Sequence, residues 1–189
     1  VRAFLAAQRG GPYVVVLTSD HGEAFGEHRA IHHGQSLYDE QIHVPGWVWA
    51  SQGALTPAQT EALGASTSRF ATHLDVFPAV LDALGLGTSS ARREVRAKLL
   101  GASLLAPPPE RPSVVPVTNC TGMFPCPLDT WGLLDRDRKL AAQRWDGAWG
   151  CFAVDGPERF APEGDARCAS LREASRAIYP TMPNGRPSR

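Results

Sequence analysis

The sequence has no charge excess: nineteen acidic residues balance nineteen basic ones in 189 residues. Without a net field, neither a nucleic acid nor an anionic membrane surface is an expected partner. There is no run of eighteen apolar residues, so nothing reads as a bilayer span. There is no CxxC pair and no Cys/His cluster with zinc spacing, which argues against a structural zinc site. There is no initiator Met and no signal-peptide core. The opening VRAFLAAQRGGPY reads as the end of an amphipathic helix stopped by Gly10 and Gly11, the expectation for a chain cut from a longer one. No internal repeat is visible.

What is present is ordinary for a soluble globular protein: 43% hydrophobic and 20% charged residues, in a chain long enough to bury a core. The four cysteines, Cys120, Cys126, Cys151 and Cys168, all fall in the last third. Their even number suits two disulfides, with Cys120–Cys126 and Cys151–Cys168 as one pairing, and hence an oxidising compartment. Four free thiols are the alternative, because sequence does not give connectivity.

Tyr13-Val-Val-Val-Leu-Thr18 is a continuous apolar, β-branched run, the pattern of a strand buried on both faces of an α/β sheet. Ligand sites in such sheets lie beyond the carboxyl ends of the strands, where Asp20 and His21 fall. A helix is expected over 35–43, a strand over 44–50, and one helical turn after Thr56-Pro57. A helix at 75–84 has apolar residues at 76, 77, 80, 81 and 84 and ends at Gly85. A short exposed helix is expected within 88–100. The proline-rich stretch 106–112 marks a boundary. Beyond it, strands are expected at 113–118, 138–145 and 149–154, a helix at 167–178 and a frayed terminus.

Five of the six histidines lie between positions 21 and 43, with Asp20, Glu23, Glu27, Asp39 and Glu40 among them. Clustered imidazoles and carboxylates after a strand point to a metal or anion site. Asp20 and His21 offer a hard oxygen beside a neutral imidazole, a pair suited to a divalent cation, and Gly22 lets the backbone turn next to them. His33, followed by Gly34, is placed to grip an anion or protonate a leaving group. Two ligands do not complete a site, since magnesium or calcium takes roughly six donors.

The stretch LTSDHGEAFGEHRAIHHGQSLYDEQIHVP, residues 17–45, resembles the C-terminal signature of the sulfatases within the alkaline phosphatase superfamily. THLDVFPAVLDALGL (72–86) and LLGASLL (99–105) are similar to later motifs of that family, in its order and spacing. The resemblance implies that Asp20 and His21 are metal ligands, calcium being the family expectation, and that His33 contacts the sulfate or phosphate group. His32 is the alternative to His33 as a substrate contact. His28 matches a motif histidine that holds the loop from behind the ligands. Asp75 resembles a position supporting a helix start, while His43 and His73 read as packing or capping residues. Residues 131–158 loosely resemble the small C-terminal sulfatase subdomain, in which Lys139 reads as a solvated strand lysine.

The implied fold is α/β: residues 1–106 as the C-terminal part of an alkaline-phosphatase-like three-layer sandwich, and 107–189 as a small antiparallel-sheet and helix subdomain. One departure is informative. Sulfatases take their nucleophile from Cys/Ser-x-Pro-x-Arg, converted to formylglycine, and no such motif occurs here. Cys126-Pro-Leu-Asp-Thr130 does not supply one, because its proline comes one place early and no arginine follows.

The expected function is therefore a metal-dependent sulfuric ester hydrolase, represented by a C-terminal portion whose nucleophile belongs to the missing N-terminal half. Its substrate is a sulfate (or phosphate) ester and its location extracytoplasmic: periplasmic, secreted, or anchored through the absent region. The alternatives are a phosphoethanolamine or phosphoglycerol transferase of the same superfamily and a catalytically inactive metal-binding fragment.

Overall fold

A computed structural model describes residues 10–34, 36–86, 90–108, 114–118, 130–142, 148–154, 157–178 and 186–187. The expected helix ahead of Gly10, the Cys120–Cys126 pairing and the end of the 138–145 strand lie outside these residues. The protein is mixed α/β and divides into two compact units, Val1–Thr18 with Gly46–Arg111, and Ser19–Pro45 with Pro112–Arg189. Among the described residues no helix is long and apolar enough to cross a membrane.

In the first unit, strands β1 (Val14–Thr18) and β4 (Gly46–Ala50) pair antiparallel, Val14 opposite Ala50 and Leu17 opposite Trp47. Because side chains alternate along a strand, Val14, Val16 and Val48 share one face. With Val76, Ala79 and Val80 they line an apolar cavity of about 360 Å³. The opposite face holds Leu17, Trp47 and Trp49, which are 46%, 62% and 52% exposed. The expectation of a strand buried on both faces is thus corrected. Within the described residues this sheet has two strands, and helical packing covers one side of it.

Helix α2 (Pro57–Ser66) is a full ten residues rather than the single turn expected. Thr56 and Gln59 form a reciprocal capping box, each side chain bonding the other's backbone N–H, and Pro57 sits at the first helical position. Helix α3 (His73–Ala83) follows the expected periodicity. At its start the Asp75 carboxylate accepts the Thr72 N–H at 2.8 Å and the Ala102 N–H at 2.7 Å. Asp75 thereby supports the helix start and ties residue 102 to it. His73, the first residue of α3, and His43, which follows the next helix of the second unit, are both exposed. Helix α4 spans Ser90–Ala97.

The second unit joins the segment 19–45 to a sheet in the order β10–β8–β7–β6–β5, with β9 on β8. These strands are β5 (Val115–Thr118), β6 (Trp131–Asp135), β7 (Arg138–Ala142), β8 (Ala148–Ala153), β9 (Arg159–Phe160) and β10 (Arg186–Pro187). All pairs are antiparallel except β10 with β8. Strand β6 was not among those expected. Its two-residue hairpin to β7 runs through Arg136-Asp137, without the Gly or Asn that signals such a turn. Of the 181–189 segment expected to fray, Arg186–Pro187 pairs with β8, and the rest lies outside the described residues.

Helix α5 (Ala166–Ile178) covers one face of this sheet. Its Cys168 and Leu171 pack with Leu133, Leu140, Ala142, Trp149 and Cys151. A Cys151–Cys168 disulfide joins β8 to α5 across 17 residues, a closure worth about 3 kcal/mol in the chain-entropy model. Asp165 accepts the N–H groups of Cys168 (3.1 Å) and Arg167 (2.9 Å) at the start of α5, and Arg138 Nε donates to its second oxygen at 2.9 Å. The Cys168 bond first, and Arg138 after it, hold this carboxyl below its ordinary value.

The other face carries the segment that holds Leu37 and Asp39. Leu37, 2% exposed, lies over Gly132. A Cβ on Gly132 would stand 3.1 Å from Leu37 Cδ1, so the glycine makes room for the leucine. Burying such a side chain is worth about 1.5–3 kcal/mol. Beside it Lys139, expected to be solvated, is completely buried. Its Nζ donates to Asp39 Oδ1 and to Glu158 Oε2, both at 2.8 Å. Glu158 Oε2 also accepts the Asp39 N–H at 2.7 Å. The lysine is drawn inward because β7 alternates: Leu140 and Ala142 face α5, so Lys139 must face the segment carrying Asp39. Burial pushes the Glu158 carboxyl above its ordinary value, opposed by the charge of Lys139.

Replacing Lys139 with Met should cost about 3–5 kcal/mol, because it strands Glu158 and Asp39 without a countercharge. Urea denaturation measures this. The sign with pH follows from the raised Glu158 value: the folded state binds that proton more tightly, so stability falls as pH rises from 4.5 through the folded value. Lys139→Met should therefore recover stability on acidification from neutral pH towards 4.5, whereas a flat profile would contradict the triad.

Candidate functional site: the histidine loop

The loop from Ser19 to Gly34 follows β1 in the chain and belongs to the second unit. Strands β2 (Ala24–Phe25) and β3 (Ile31–His32) pair antiparallel, Ala24 with His32 and Phe25 with Ile31, around a single 3-10 turn at Glu27–Arg29. This pairing returns His33 to the neighbourhood of His21 and Glu23. The reversal is tight enough to place three residues with side chains at positive φ: His28 (49°), Arg29 (58°) and His32 (75°). Such conformations persist only where the surroundings impose them, and they gather at functional sites.

His21 Nδ1 lies 2.8 Å from the Gly22 carbonyl oxygen. A carbonyl only accepts, so Nδ1 carries the proton and Nε2 of the neutral ring carries the lone pair. That nitrogen is 3.7 Å from Asp20 Oδ2. Two donor atoms at this separation fit neighbouring positions around one calcium-sized ion with bonds of about 2.3–2.6 Å, and the bond to a backbone carbonyl is the usual way a ligating imidazole is oriented. Asp20 Oδ1 accepts the His21 N–H at 3.1 Å. Hydrogen bonding to backbone N–H groups, its own foremost, holds the Asp20 carboxyl below its ordinary value, and positive charge on the His21 ring lowers it further.

His33 stacks on His21, ring centroids 3.7 Å apart and planes 21° from parallel. Its Nδ1–H donates to Glu23 Oε2 at 2.9 Å. His32 Nδ1 is 3.9 Å from the other oxygen of the same carboxylate, and its side chain is 78% exposed. Glu23 belongs to the acidic and imidazole cluster of the sequence, which by itself shows no particular role for it. Its signal was its place two residues beyond His21, which puts it on the same side of a tight loop. His28 is placed differently. Its Nδ1–H donates to Glu40 Oε1 at 3.0 Å and its ring stacks on Tyr38 at 3.7 Å, which ties the loop to residues 38–40.

The helix expected over 35–43 is a four-residue turn, α1 (Asp39–Ile42). Its acids part company: Asp39 goes to Lys139, Glu40 to His28. The Gly22 N–H donates to the Gln41 carbonyl at 2.9 Å. Gly22 is not a turn glycine, since its φ is not in the left-handed region; it permits a close approach. A Cβ there would stand 2.1 Å from the Glu40 carbonyl oxygen.

The donors Asp20, His21, Glu23 and His33 suit a divalent cation of mixed oxygen and nitrogen preference, with an imidazole left to face an anion. Residues 2–86 match the sulfatase family model, a span containing every residue of the loop. The likeness to sulfatases, a family of hydrolases, therefore holds for this stretch by an independent comparison. No curated protein matches the chain.

Gly22→Ala should cost about 1–3 kcal/mol through overpacking and abolish hydrogen-exchange protection of the residue-22 amide. Gly10→Ala, where nothing lies within 4 Å of the new carbon, serves as control. Full protection in Gly22→Ala would show that the approach to Glu40 is not tight.

Proposed function

We propose that this chain is part of a metal-dependent sulfuric ester hydrolase of the sulfatase type. Residues 1–106 contribute to an alkaline-phosphatase-like three-layer sandwich, and the nucleophile, expected as formylglycine, comes from residues outside this sequence. The observation that carries the reading is the Asp20–His21 pair, with Nε2 turned to the carboxylate and His33 stacked beside it. Asp20 and His21 hold the cation, calcium being the expectation, and when bound it supplies positive charge that neutralises ester oxygens.

His33 then binds a non-bridging oxygen or gives a proton to the leaving group, its ring held by Glu23. His32 is the alternative contact. His28 acts behind the ligands by fixing the loop to Tyr38 and Glu40. The Cys151–Cys168 bridge supports an extracytoplasmic location. A phosphoethanolamine or phosphoglycerol transferase shares the Ser19–Glu23 and His33-Gly34 motifs. The continuation Leu37-Tyr38-Asp39-Glu40 into Val44-Pro45 favours the sulfatase.

The test is turnover of an aryl sulfate by the protein that joins this chain to its nucleophile-bearing portion. Asp20→Asn and His21→Ala should each lower it roughly 100-fold or more with folding intact. His33→Ala should lower it roughly 10²–10⁴-fold while calcium content is unchanged. The 189-residue chain alone should hydrolyse no sulfate ester. Normal turnover in both Asp20→Asn and His21→Ala, or by the isolated chain, would overturn the assignment.

A further inference from the structure

The same loop contains a donor set better suited to a different ion. We propose that His21, Glu23 and His33 form a binding site for a zinc-class divalent cation, one that these three residues of this chain provide by themselves. One ligand atom from each lies within 4.8 Å of the others. This is the only such trio of His, Cys, Asp or Glu among the described residues. Tetrahedral ligands on bonds of about 2.1 Å stand roughly 3.4 Å apart, so small side-chain rotations close the set around one ion.

The chemistry separates this ion from calcium. Calcium takes six to eight oxygen ligands, whereas two imidazoles and one carboxylate with an open fourth position is a donor set for zinc and its first-row neighbours. The site is also held in advance. His21 is oriented by the Gly22 carbonyl, Gly22 is bonded to Gln41, and the β2–β3 pairing keeps His33 over His21. Glu23 already sits 2.9 Å from His33 Nδ1, so an ion that enters there displaces the proton shared between them. All three side chains remain open to solvent, His21 at 43%, Glu23 at 33% and His33 at 47% exposure, which gives an ion its route in.

A consequence follows that rests on the sulfatase reading. An ion held by this trio occupies His21 and His33 together, so a zinc-class metal competes with calcium and with the ester anion, and inhibits.

Cobalt(II) titration of the full 189-residue chain tests the site, through its visible absorption and by direct counting of bound metal. The expected result is one cobalt per chain, not displaced by millimolar calcium. Affinity should fall at least tenfold in Glu23→Gln and in His33→Ala, and stay unchanged in His43→Ala and in Asp20→Asn. Asp20→Asn therefore distinguishes the two ideas, since the hydrolase reading requires that residue and this site does not. X-ray absorption of the zinc-loaded, unsubstituted chain should show two imidazoles in the inner shell, a readout that does not depend on any variant folding. Absence of cobalt binding, equal affinity in Glu23→Gln and His33→Ala, loss in Asp20→Asn alone, or an inner shell without imidazole would each overturn the proposal.

Discussion

The position of the histidine loop depends on a buried lysine. Lys139 lies in the middle strand of the C-terminal sheet, wholly out of water, and can stay charged there only if it is compensated. Asp39 and Glu158 compensate it, one from the loop segment and one from the stretch after β8. Coulombic attraction in a dry environment is strong, but the desolvation it must offset is of similar size. Such a triad therefore contributes less net stability than it does register. It fixes which residue of the 36–42 segment lies over which residue of β7. Leu37 over Gly132 supplies the apolar part of the same contact.

From that anchor the order passes to the site through short bonds. Asp39 begins the α1 turn, and the next two residues of the turn each hold part of the loop: Glu40 takes His28, and the Gln41 carbonyl takes the Gly22 amide. Gly22 is adjacent to His21 and its carbonyl selects the tautomer of that ring. Three contacts, Lys139 to Asp39, Gln41 to Gly22 and Gly22 to His21, thus run from a buried ammonium to the lone pair of a candidate ligand. The loop tip is held less firmly, for Phe25 and Ile31 are 83% and 65% exposed.

Much of this was legible in the sequence, and what was not has physical causes. The amphipathic α3 was plain because its period is local, and the importance of the Asp20–His33 stretch was plain because its chemistry is concentrated. The burial of Lys139 was not, since Arg-Lys-Leu-Ala-Ala gives no sign of which partner approaches the polar face. Its partners are 100 residues away at Asp39 and 19 away at Glu158. The exposure of Leu17, Trp47 and Trp49 was hidden for the opposite reason. A run of apolar residues reports that a strand is made to be covered, but not by what. Helix α2 was underestimated because its small residues carry no apolar stripe, and its capping box does the work that periodicity usually signals.

The two histidines that face each other differ in one respect that bears on everything the loop can do. His21 gives its Nδ1 proton to a backbone carbonyl, a partner that cannot ionise or leave, so its other nitrogen is always the one presented. His33 gives its Nδ1 proton to a carboxylate, which can accept a metal ion as readily as a proton. One ring is therefore fixed by a backbone carbonyl, while the other shares its proton with a carboxylate. Glu23 is the residue on which that difference turns, because its carboxylate accepts the His33 proton. A loop built this way combines a ring held by the backbone with a ring held by a carboxylate, stacked face to face.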